Sequence, residues 1–527
     1  MKRFAPLLDA LVYTPSRNGK LRLLADYFAN APDPDRGWAL AALTDGLDQR
    51  QVKLALVRDL VEQRVDPVLF RLSYDYVGDL AETVSLIWPG GTARNSEPDL
   101  GEIVDRLRLA GRTEVPALLA SWLDALDPTG RFALLKLLMG GMRVGVSARL
   151  AKSGLAMIGD VPLEKIEEIW FGLEPPYGPL FAWLEGKAGP PEVDQRLAFR
   201  APMLANPADQ AQLETLDPAD FRAEWKWDGI RVQLVAQGGS ARLYSRNGED
   251  IGDAFPDILE AARFDAVLDG ELLVLRDGAV APFNDLQQRL NRKSVTARLL
   301  AAFPAHVRLY DILFEDGEDL RALPFDGRRD RLERWHARTA PPRTDLSPLV
   351  PFGGWPELAG LRDAARADGI EGLMLKRGDS AYVAGRPQGP WFKWKRDPLL
   401  ADCVLMYAQR GHGRRSSFYS DFTFGCWRSA EDGPAELVPV GKAYFGFTDA
   451  ELVEIDRWVR AHSTERYGPV RAVEPGLVFE VAFDSVQRSA RHKSKLAMRF
   501  PRIHRIRWDK PHTEADRLET LEKLLNP

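Results

Sequence analysis

The chain has 527 residues, of which 45% are hydrophobic and 28% are charged, and its formal net charge is -5. This length exceeds one ordinary core, so we expect about two to four domains. No apolar run approaches the roughly 20 residues that a membrane helix needs, and the two cysteines and seven histidines exclude a disulfide framework or a zinc finger. We therefore predict a cytoplasmic protein without a membrane span, in which any metal ion is bound by oxygen ligands.

Residues 1 to about 195 carry apolar side chains at helical spacing, as in Val57, Leu60 and Val61. The region ends in stretches rich in proline and glycine, at residues 174–179 and 189–191, which are typical of linkers. The pattern predicts an all-α domain over residues 1–195.

Two further regions have the pattern of β-structure. Residues 200–397 contain short alternating runs with turn signals such as Gly238-Gly239, which predict an α+β domain dominated by antiparallel sheets. Residues 398–527 contain short strands around one helix, expected over Asp449–His462, and a small β-barrel is the natural fold for them.

A possible nucleophile lies in the segment Glu224-Trp225-Lys226-Trp227-Asp228-Gly229-Ile230-Arg231. A lysine attacks phosphorus only after losing its proton, and partial burial beside another cation favours that loss. The plain alternative is a surface lysine before a hairpin turn, because Asp-Gly between two alternating strands is a common type I′ signal. The segment alone does not decide between them.

Several polar motifs follow in the chain, and each supplies a group that a nucleotide site needs. Carboxylates suit ribose hydroxyls or a metal ion, an aromatic ring can stack on a base, and cationic side chains suit phosphates. Taken singly, each motif could be an ordinary turn, a core tyrosine or an edge strand guarded by lysines. The motifs are Ser245-Arg246-Asn247-Gly248-Glu249, Asp269-Gly270-Glu271, Tyr310-Asp311, Glu371-Gly372-Leu373-Met374-Leu375-Lys376, Arg386 and Trp391-Phe392-Lys393-Trp394-Lys395.

The C-terminal region is locally basic although the whole chain is acidic. Residues 485–510 contain Lys or Arg at 488, 491, 493, 495, 499, 502, 505, 507 and 510, against one acid, Asp509. This density suits contact with a phosphate backbone. A solvated charged face is the alternative.

Together with the ending Arg499-Phe500-Pro501-Arg502, these motifs resemble the ATP-dependent DNA ligases of the covalent nucleotidyltransferase superfamily. The chain is most similar to the bacterial three-domain type, and the resemblance covers nearly its whole length. It implies a helical DNA-binding domain over 1–195, an adenylation domain over 200–397 and an OB-fold domain over 398–527. It also implies a monomer that acts on nicked double-stranded DNA at the nucleoid, in DNA repair.

The resemblance implies that Lys226 attacks the α-phosphorus of ATP, that the adenylyl group then passes to the 5′-phosphate of a nick, and that the 3′-hydroxyl finally expels AMP. Glu224 would contact the adenine amino group, Tyr310 would stack on the base and Glu271 would bind the ribose. The implied phosphate ligands are Arg231, Arg246, Arg386, Lys393 and Lys395, with Arg499 and Arg502 serving the first step. The implied ligands of Mg²⁺ (or Mn²⁺) are Glu371 first, then Glu271 and Asp228.

Three other functions have to be compared with this one. An RNA ligase or an mRNA-capping guanylyltransferase shares the lysine chemistry, but the helical N-terminal region argues against both. An NAD-dependent ligase would need cysteines for its zinc site. A non-catalytic nucleic-acid-binding module with an OB-fold is disfavoured because Lys226, Glu371 and Lys393 are all present.

Overall fold

The computed structural model describes residues 1–44, 46–47, 52–90, 97–111, 113–140, 142, 144–193, 195–290, 292, 294–365, 370–411, 417–429, 434–490 and 492–525. The chain forms two compact units. Unit 1 comprises Met1–Val161, Glu174–Pro190 and Pro398–Pro527, and unit 2 comprises Pro162–Leu173 and Pro191–Asp397. Every helix within the described ranges is too short or too polar to cross a membrane.

The N-terminal region is helical, which confirms this part of the predicted fold class. Several helices start at a side chain that accepts a backbone N–H, including Ser16, Asp66 and Asp127, as N-caps do. The helices are α1 (Phe4–Tyr13), α2 (Arg17–Asn30), α3 (Asp35–Leu43), α4 (Leu54–Glu62), α5 (Pro67–Val77), α6 (Leu80–Ile87), α7 (Leu100–Leu109), α8 (Val115–Ala125), α9 (Pro128–Met139), α10 (Ala148–Gly159), α11 (Leu163–Ile169) and α12 (Gly178–Leu184). Of these, α11 belongs to unit 2 and the others to unit 1.

Unit 2 contains two sheets. Sheet A has the order β1-β12-β11-β2-β10, and sheet B has the order β4-β3-β5-β7-β8, with β6 beside β5 and β9 beside β7. The strands are β1 (Asn206–Pro207), β2 (Phe221–Lys226), β3 (Ile230–Gln237), β4 (Ser240–Ser245), β5 (Ala266–Arg276), β6 (Ala279–Val280), β7 (Ala305–Glu315), β8 (Glu318–Asp319), β9 (Thr344–Leu346), β10 (Leu349–Val350), β11 (Gly372–Arg377) and β12 (Trp391–Lys395). The helices are α13 (Gln210–Leu213), α14 (Pro256–Ala261), α15 (Phe283–Gln287), α16 (Ala297–Ala302), α17 (Phe325–Thr339) and α18 (Trp355–Ala364).

Each sheet buries one face because side chains alternate along its strands. The apolar face of sheet A carries Ala223, Leu373 and Phe392, which pack in one core with Trp355 and Leu358 of α18. The apolar face of sheet B carries residues such as Leu234, Leu268 and Val307, which pack with Leu332 and Trp335 of α17. The opposite faces are only partly polar, because Val235, Val267 and Leu313 of sheet B pack in another core with Trp391 of sheet A.

The Asp228-Gly229 turn is not a hairpin, so the alternative drawn from this dipeptide is wrong. The strand β2 before the turn pairs with β10 and β11, whereas β3 after it pairs with β4 and β5. The turn thus carries the chain from sheet A to sheet B. A Cβ at Gly229 would lie 2.5 Å from the carbonyl oxygen of Leu272, so the close approach of β5 requires glycine here.

The C-terminal part of unit 1 is a curled antiparallel sheet. Its strands run in the order β15-β14-β13-β17-β16, β18 pairs with both β13 and β21, and β19 pairs with β20. A buried core including Cys403, Phe422, Phe479 and Ile455 fills it. The elements are β13 (Leu399–Arg410), β14 (Tyr419–Arg428), β15 (Glu436–Ala443), α19 (Asp449–Ala461), β16 (Ser463–Tyr467), β17 (Val470–Val473), β18 (Val478–Phe483), β19 (Ser485–Arg488), β20 (Leu496–Arg499), β21 (Arg502–Arg507) and α20 (Leu518–Glu522).

The basic run 485–510 is partly neutralised by acids from other strands. Lys510 Nζ lies 2.7 Å from a carboxylate oxygen of Asp402, and Arg505 Nη2 lies 3.5 Å from one of Glu480. Lys493 pairs with Glu436, and Arg491 lies outside the described residues. The positive charge available to a phosphate backbone is therefore smaller than the sequence count indicates.

Candidate active site

Four polar side chains share the open face of sheet A. Lys226 pairs with Gly372, which pairs with Lys395. In the next row, Glu224 pairs with Met374, which pairs with Lys393. Directly paired residues point to the same side of a sheet, so Glu224, Lys226, Lys393 and Lys395 line one surface.

Glycine at position 372 keeps the space between the two lysines free of a side chain. Its φ is +148°, and a Cβ there would lie 2.4 Å from the carbonyl oxygen of Trp394. The Lys226 side chain is 23% exposed, so a substrate can reach its amino group.

Glu371 is the immediate partner of the Lys226 amino group. The Nζ of Lys226 donates to Oε2 of Glu371, and the Lys395 Nζ lies 3.5 Å from the same oxygen. The backbone N–H of Glu371 donates to the carbonyl of Lys226 at 2.9 Å. Burial raises the pKa of Glu371, but the charges of Lys226 and Lys395 outweigh burial and lower this pKa to about 2. Glu371 is therefore ionised at neutral pH.

Two further carboxylates lie close to this pair. Asp228 interacts electrostatically with Glu371 and with Glu271. Glu271 on β5 is paired in register with Arg231 on β3. Burial raises the pKa of Glu271 to about 8, and the charges of Glu371 and Asp228 reinforce the rise against Lys226 and Arg231. Burial is thus the main reason why the charged form of Glu271 is disfavoured.

Glu224 lies deeper in unit 2 and has two cationic partners. Lys376 Nζ lies 2.6 Å from its Oε2, and Arg329 Nη1 lies 3.3 Å from its Oε1. Lys376 also lies 4.5 Å from the centre of the Tyr310 ring, which brings Glu224 and Tyr310 into one pocket. Burial raises the pKa of Glu224 and Lys376 opposes the rise.

The sequence motif 371–376 suggests Lys376 as a possible phosphate ligand, whereas the structure pairs it with Glu224. Arg329 belongs to none of the sequence motifs. The available signal was weak. A lysine inside the apolar sequence of β11 needs a buried acidic partner, but the sequence of this strand does not indicate which acid that is.

Arg231 is held by protein groups. Its Nη2 lies 2.5 Å from Asp269 Oδ2 and 3.1 Å from the Tyr382 hydroxyl, and its Nη1 donates to the Met203 carbonyl at 2.6 Å. The guanidinium carbon lies 5.8 Å from the centre of the Tyr310 ring. In this arrangement Arg231 orders the pocket wall, and both of its terminal nitrogens are already engaged.

A group of cations surrounds Lys393. Burial lowers the pKa of Lys393, and the charges of Arg386, Lys226, Lys395 and Arg246 lower it further. Arg246 and Arg386 are exposed residues at the edge of this group. Such a cluster suits the charge of a polyphosphate.

Arg499 and Arg502 belong to unit 1 and are described within it. Arg499 ends β20, and its guanidinium carbon lies 5.0 Å from the centre of the Phe500 ring. Arg502 begins β21 and lies 3.8 Å from Asp484 Oδ1.

The carboxylates near Lys226 fit Mg²⁺ only with help from a substrate. Among the described residues, no three His, Cys, Asp or Glu side chains converge closely enough to hold a metal ion by themselves. Mg²⁺ commonly binds one or two carboxylates and takes its other ligands from water and substrate phosphates. Burial raises the pKa of Glu271, and a bound cation would favour its ionised form.

Family models and curated relatives match most of this chain. Residues 202–395 match the ATP-dependent DNA ligase domain, and residues 415–510 match the ATP-dependent DNA ligase C-terminal region. A probable DNA ligase of Opitutus terrae is 32% identical over 99% of this chain and 62% of its own length. A probable DNA ligase of Koribacter versatilis is 38% identical over 61% of this chain and 59% of its own length. The chain thus spans about three fifths of these two relatives.

A third relative matches over most of both chains. It is a probable DNA ligase of Anaeromyxobacter sp., which is 37% identical over 80% of this chain and 82% of its own length. The solved structure Pmar-Lig_Pre has a TM-score of 0.60 and 17% identity, and the match covers 96% of this chain and 99% of that one. This structural likeness concerns the fold alone. The chain belongs to the ATP-dependent DNA ligase family.

Proposed function

We propose that this protein is an ATP-dependent DNA ligase that seals nicks in double-stranded DNA through lysyl-AMP and DNA-adenylate intermediates. The observation that carries the proposal is the placement of Lys226. Its amino group lies on the open face of sheet A in contact with Glu371, and Lys393 and Lys395 project from the same face. The proposed nucleophile, an ionised carboxylate and two further cationic side chains thus lie close together, which supports the proposal.

In the first step, the Lys226 ammonium loses a proton to solvent, and its nitrogen then forms a bond to the α-phosphorus of ATP while the bond to the departing pyrophosphate breaks. Phosphoryl transfer depends mainly on in-line positioning and on neutralising the charge of the phosphates. Lys393, Lys395, Arg246 and Arg386 supply positive charge, and Arg231 orders the wall of the pocket. Glu371 accepts the hydrogen bond of Lys226 and fixes the direction of its Nζ.

The adenosine half of ATP would lie toward the deeper part of the pocket. We propose that Glu224 accepts a hydrogen bond from the adenine amino group, that Tyr310 stacks on the base and that Glu271 binds the ribose. Lys376 and Arg329 contact the Glu224 carboxylate, and these contacts hold it as an acceptor. A guanine offers a carbonyl oxygen at that point, which an acceptor disfavours.

Mg²⁺ would be held by Glu371, with Glu271 and Asp228 behind it and phosphate oxygens completing its shell. When bound, the ion supplies positive charge to the phosphates.

The later steps require DNA. We propose that residues 1–195 form the DNA-binding domain, residues 200–397 the adenylation domain and residues 398–527 an OB-fold, in a protein that acts as a monomer. The curled antiparallel sheet of the C-terminal part, with the helix α19 packed on it, supports the OB-fold proposal. Arg499 and Arg502 would serve the first step. A cytoplasmic, nucleoid-associated location and a role in DNA repair complete the proposal.

Transfer of a radiolabel tests this function. The protein is incubated with α-labelled ATP and Mg²⁺, freed of nucleotide, and then given a nicked DNA duplex. We expect label on the protein first and then on the DNA, followed by a sealed strand and free AMP. The Lys226→Ala variant should take up no label, and a Lys226→Ala variant that sealed nicks would overturn the mechanism. Labelling by GTP instead of ATP would indicate a capping enzyme, and sealing confined to RNA would indicate an RNA ligase.

A further inference from the structure

Trp227, which lies between Lys226 and Asp228, is held from two sides. The guanidinium carbon of Arg308 lies 4.2 Å from the centre of its indole ring, a distance at which a cation and an aromatic face attract each other. On its edge, the indole Nε1 donates to the hydroxyl oxygen of Ser347 at 3.2 Å. Contacts from other residues therefore hold both the face and the edge of the indole ring.

Arg308 is itself immobilised. Its Nε lies 2.9 Å from Asp345 Oδ1 and its Nη2 lies 2.6 Å from Asp345 Oδ2, which is the bidentate geometry of a strong pair. The Arg308 side chain is 12% exposed and that of Asp345 is 36% exposed, so the pair is partly shielded from water. Burial raises the pKa of Asp345, but hydrogen bonds from His306 and Arg308 outweigh burial and lower this pKa to about 2.

Both supports of Trp227 belong to sheet B or follow directly from it. Arg308 on β7 is paired in register with Asp345 on β9, and the backbone N–H of Ser347 donates to the carbonyl of Leu309 at 2.8 Å. Lys226, in contrast, ends β2 of sheet A. Trp227 is thus the residue through which sheet B contacts the segment that carries the proposed nucleophile.

We propose that Arg308 is a positioning residue for Lys226. It acts through the Trp227 ring and holds the turn 226–229 so that the Lys226 amino group stays beside Glu371 and in line with the α-phosphorus. This inference rests on the proposed function, because it takes Lys226 as the nucleophile. A displacement of about 1 Å in a reacting group can cost on the order of 100-fold in rate, so a clamp on the neighbouring residue has a measurable effect.

The test separates the steps that use the lysine nitrogen from the step that does not. For Arg308→Ala, the single-turnover rate of lysyl-AMP formation should fall by about 10-fold or more. Sealing of a nick that already carries the adenylyl group, which needs no attack by Lys226, should change by less than about 3-fold. A merely structural role would slow both reactions equally. Arg308→Lys keeps a cation over the ring but loses the bidentate pair, so it should recover part of the first rate.

Arg276 provides a matched control on the neighbouring strand β5. Its guanidinium carbon lies 5.4 Å from the centre of the Phe303 ring, and its Nη1 lies 2.6 Å from Asp285. Arg276→Ala therefore removes a similar stack and ion pair outside the 226–229 turn, and both rates should stay within about 3-fold of the wild type.

A double variant tests whether Arg308 works through Trp227. Coupled residues give non-additive effects, so the rate of Trp227→Ala with Arg308→Ala should match that of Trp227→Ala alone. Lysyl-AMP formation at the wild-type rate in Arg308→Ala, additive effects in the double variant, or equal losses in both reactions with a lowered melting temperature would each overturn the proposal. A wild-type protein that takes up no label would instead contradict the proposed function.

Discussion

At the scale of single residues, Glu271 lies where its negative charge is disfavoured. Burial, reinforced by Glu371 and Asp228, raises its pKa from 4.5 to about 8. Between pH 4.5 and about 8, Glu271 of the folded protein keeps a proton that the same residue of the unfolded chain releases. Stability must therefore fall as pH rises through this interval.

The variant Glu271→Gln removes this titration. We expect the free energy of unfolding of the wild type, free of ATP and metal, to decrease between pH 4.5 and about 8 more steeply than that of Glu271→Gln. Urea unfolding at several pH values measures the difference. Glu249→Gln, at an exposed position in a turn, should follow the wild type. Identical slopes for the wild type and Glu271→Gln would contradict the shifted pKa.

The sequence identified residues that lie close together in short motifs. It missed residues that contact the site from distant positions in the chain. Lys226 and Asp228 lie two positions apart in one segment, so their chemistry can be inferred from the sequence of that segment. Arg329 contacts Glu224 from 105 positions away, which no spacing rule predicts. Arg308 was missed for the same reason, because its stack on Trp227 depends on how two sheets meet.

At the scale of elements, α17 is fastened to β7 by a buried ion pair. Arg328 on α17 and Asp311 on β7 are both fully buried, and Arg328 Nε lies 2.8 Å from Asp311 Oδ1. Arg328 also donates to the carbonyls of Leu323 and Ser380. The aspartate of the Tyr310-Asp311 motif thus serves the fold, while Tyr310 faces the pocket.

Removing the arginine leaves Asp311 buried without a counter-charge. Arg328→Ala should therefore lower the free energy of unfolding by about 3–5 kcal/mol. Arg338→Ala on the same helix removes a pair to Glu315 from a side chain that is 61% exposed, and should cost less than about 1 kcal/mol. Urea denaturation measures both. Equal effects of the two variants would show that burial does not govern the Arg328 pair.

Strand β11 requires glycine at position 372 because the neighbouring strand β12 lies very close to it. Because a Cβ at this position would lie 2.4 Å from a carbonyl oxygen of β12, Gly372→Ala should destabilise the protein by about 1–3 kcal/mol. Gly360→Ala in α18, where nothing lies within 4 Å of the added Cβ, should leave stability unchanged or raise it by about 0.5–1 kcal/mol. Thermal unfolding of the pair tests this, and a Gly372→Ala protein as stable as the wild type would contradict it.

The alternating pattern of the strands made the sheet-rich character of unit 2 predictable, but not the pairing of its strands. Gly238-Gly239 joins two strands that pair with each other, as a hairpin signal indicates. Asp228-Gly229 carries a similar signal and joins two strands in different sheets. Whether two consecutive strands form a hairpin depends on their pairing with strands that are distant in the chain. For example, β2 pairs with β11, more than a hundred residues away, and a local dipeptide contains no information about such a pairing.

At the scale of the whole molecule, the proposed first step draws on both compact units. The lysine and its acidic partners belong to unit 2, whereas Arg499 and Arg502 belong to unit 1. The family resemblance implies that these arginines serve the first step. The sequence predicted the order of helical and sheet-rich regions from periodicity, but it could not show which residues of one region serve the chemistry of another.

Arg502→Ala should therefore affect one step selectively. Loss of a cation that stabilises developing charge commonly costs on the order of 100-fold, so lysyl-AMP formation should slow by about that factor, while sealing of a pre-adenylated nick stays near the wild-type rate. Single-turnover kinetics measures both. Arg466→Ala, at an exposed residue of β16, is the control. Equal slowing of both steps by Arg502→Ala would contradict a role limited to the first.

The most direct test of the account is the identity of the adenylated residue. Three lysines on one face of sheet A are at least partly exposed, namely Lys226, Lys393 and Lys395, whereas Lys376 on the same face is buried. After incubation with ATP and Mg²⁺ and digestion under conditions that preserve the phosphoramidate, peptide mass spectrometry should find one AMP on Lys226 and none on the other two. AMP on Lys393 or Lys395 would contradict the account, as would the absence of any AMP-bearing peptide from protein that seals nicks.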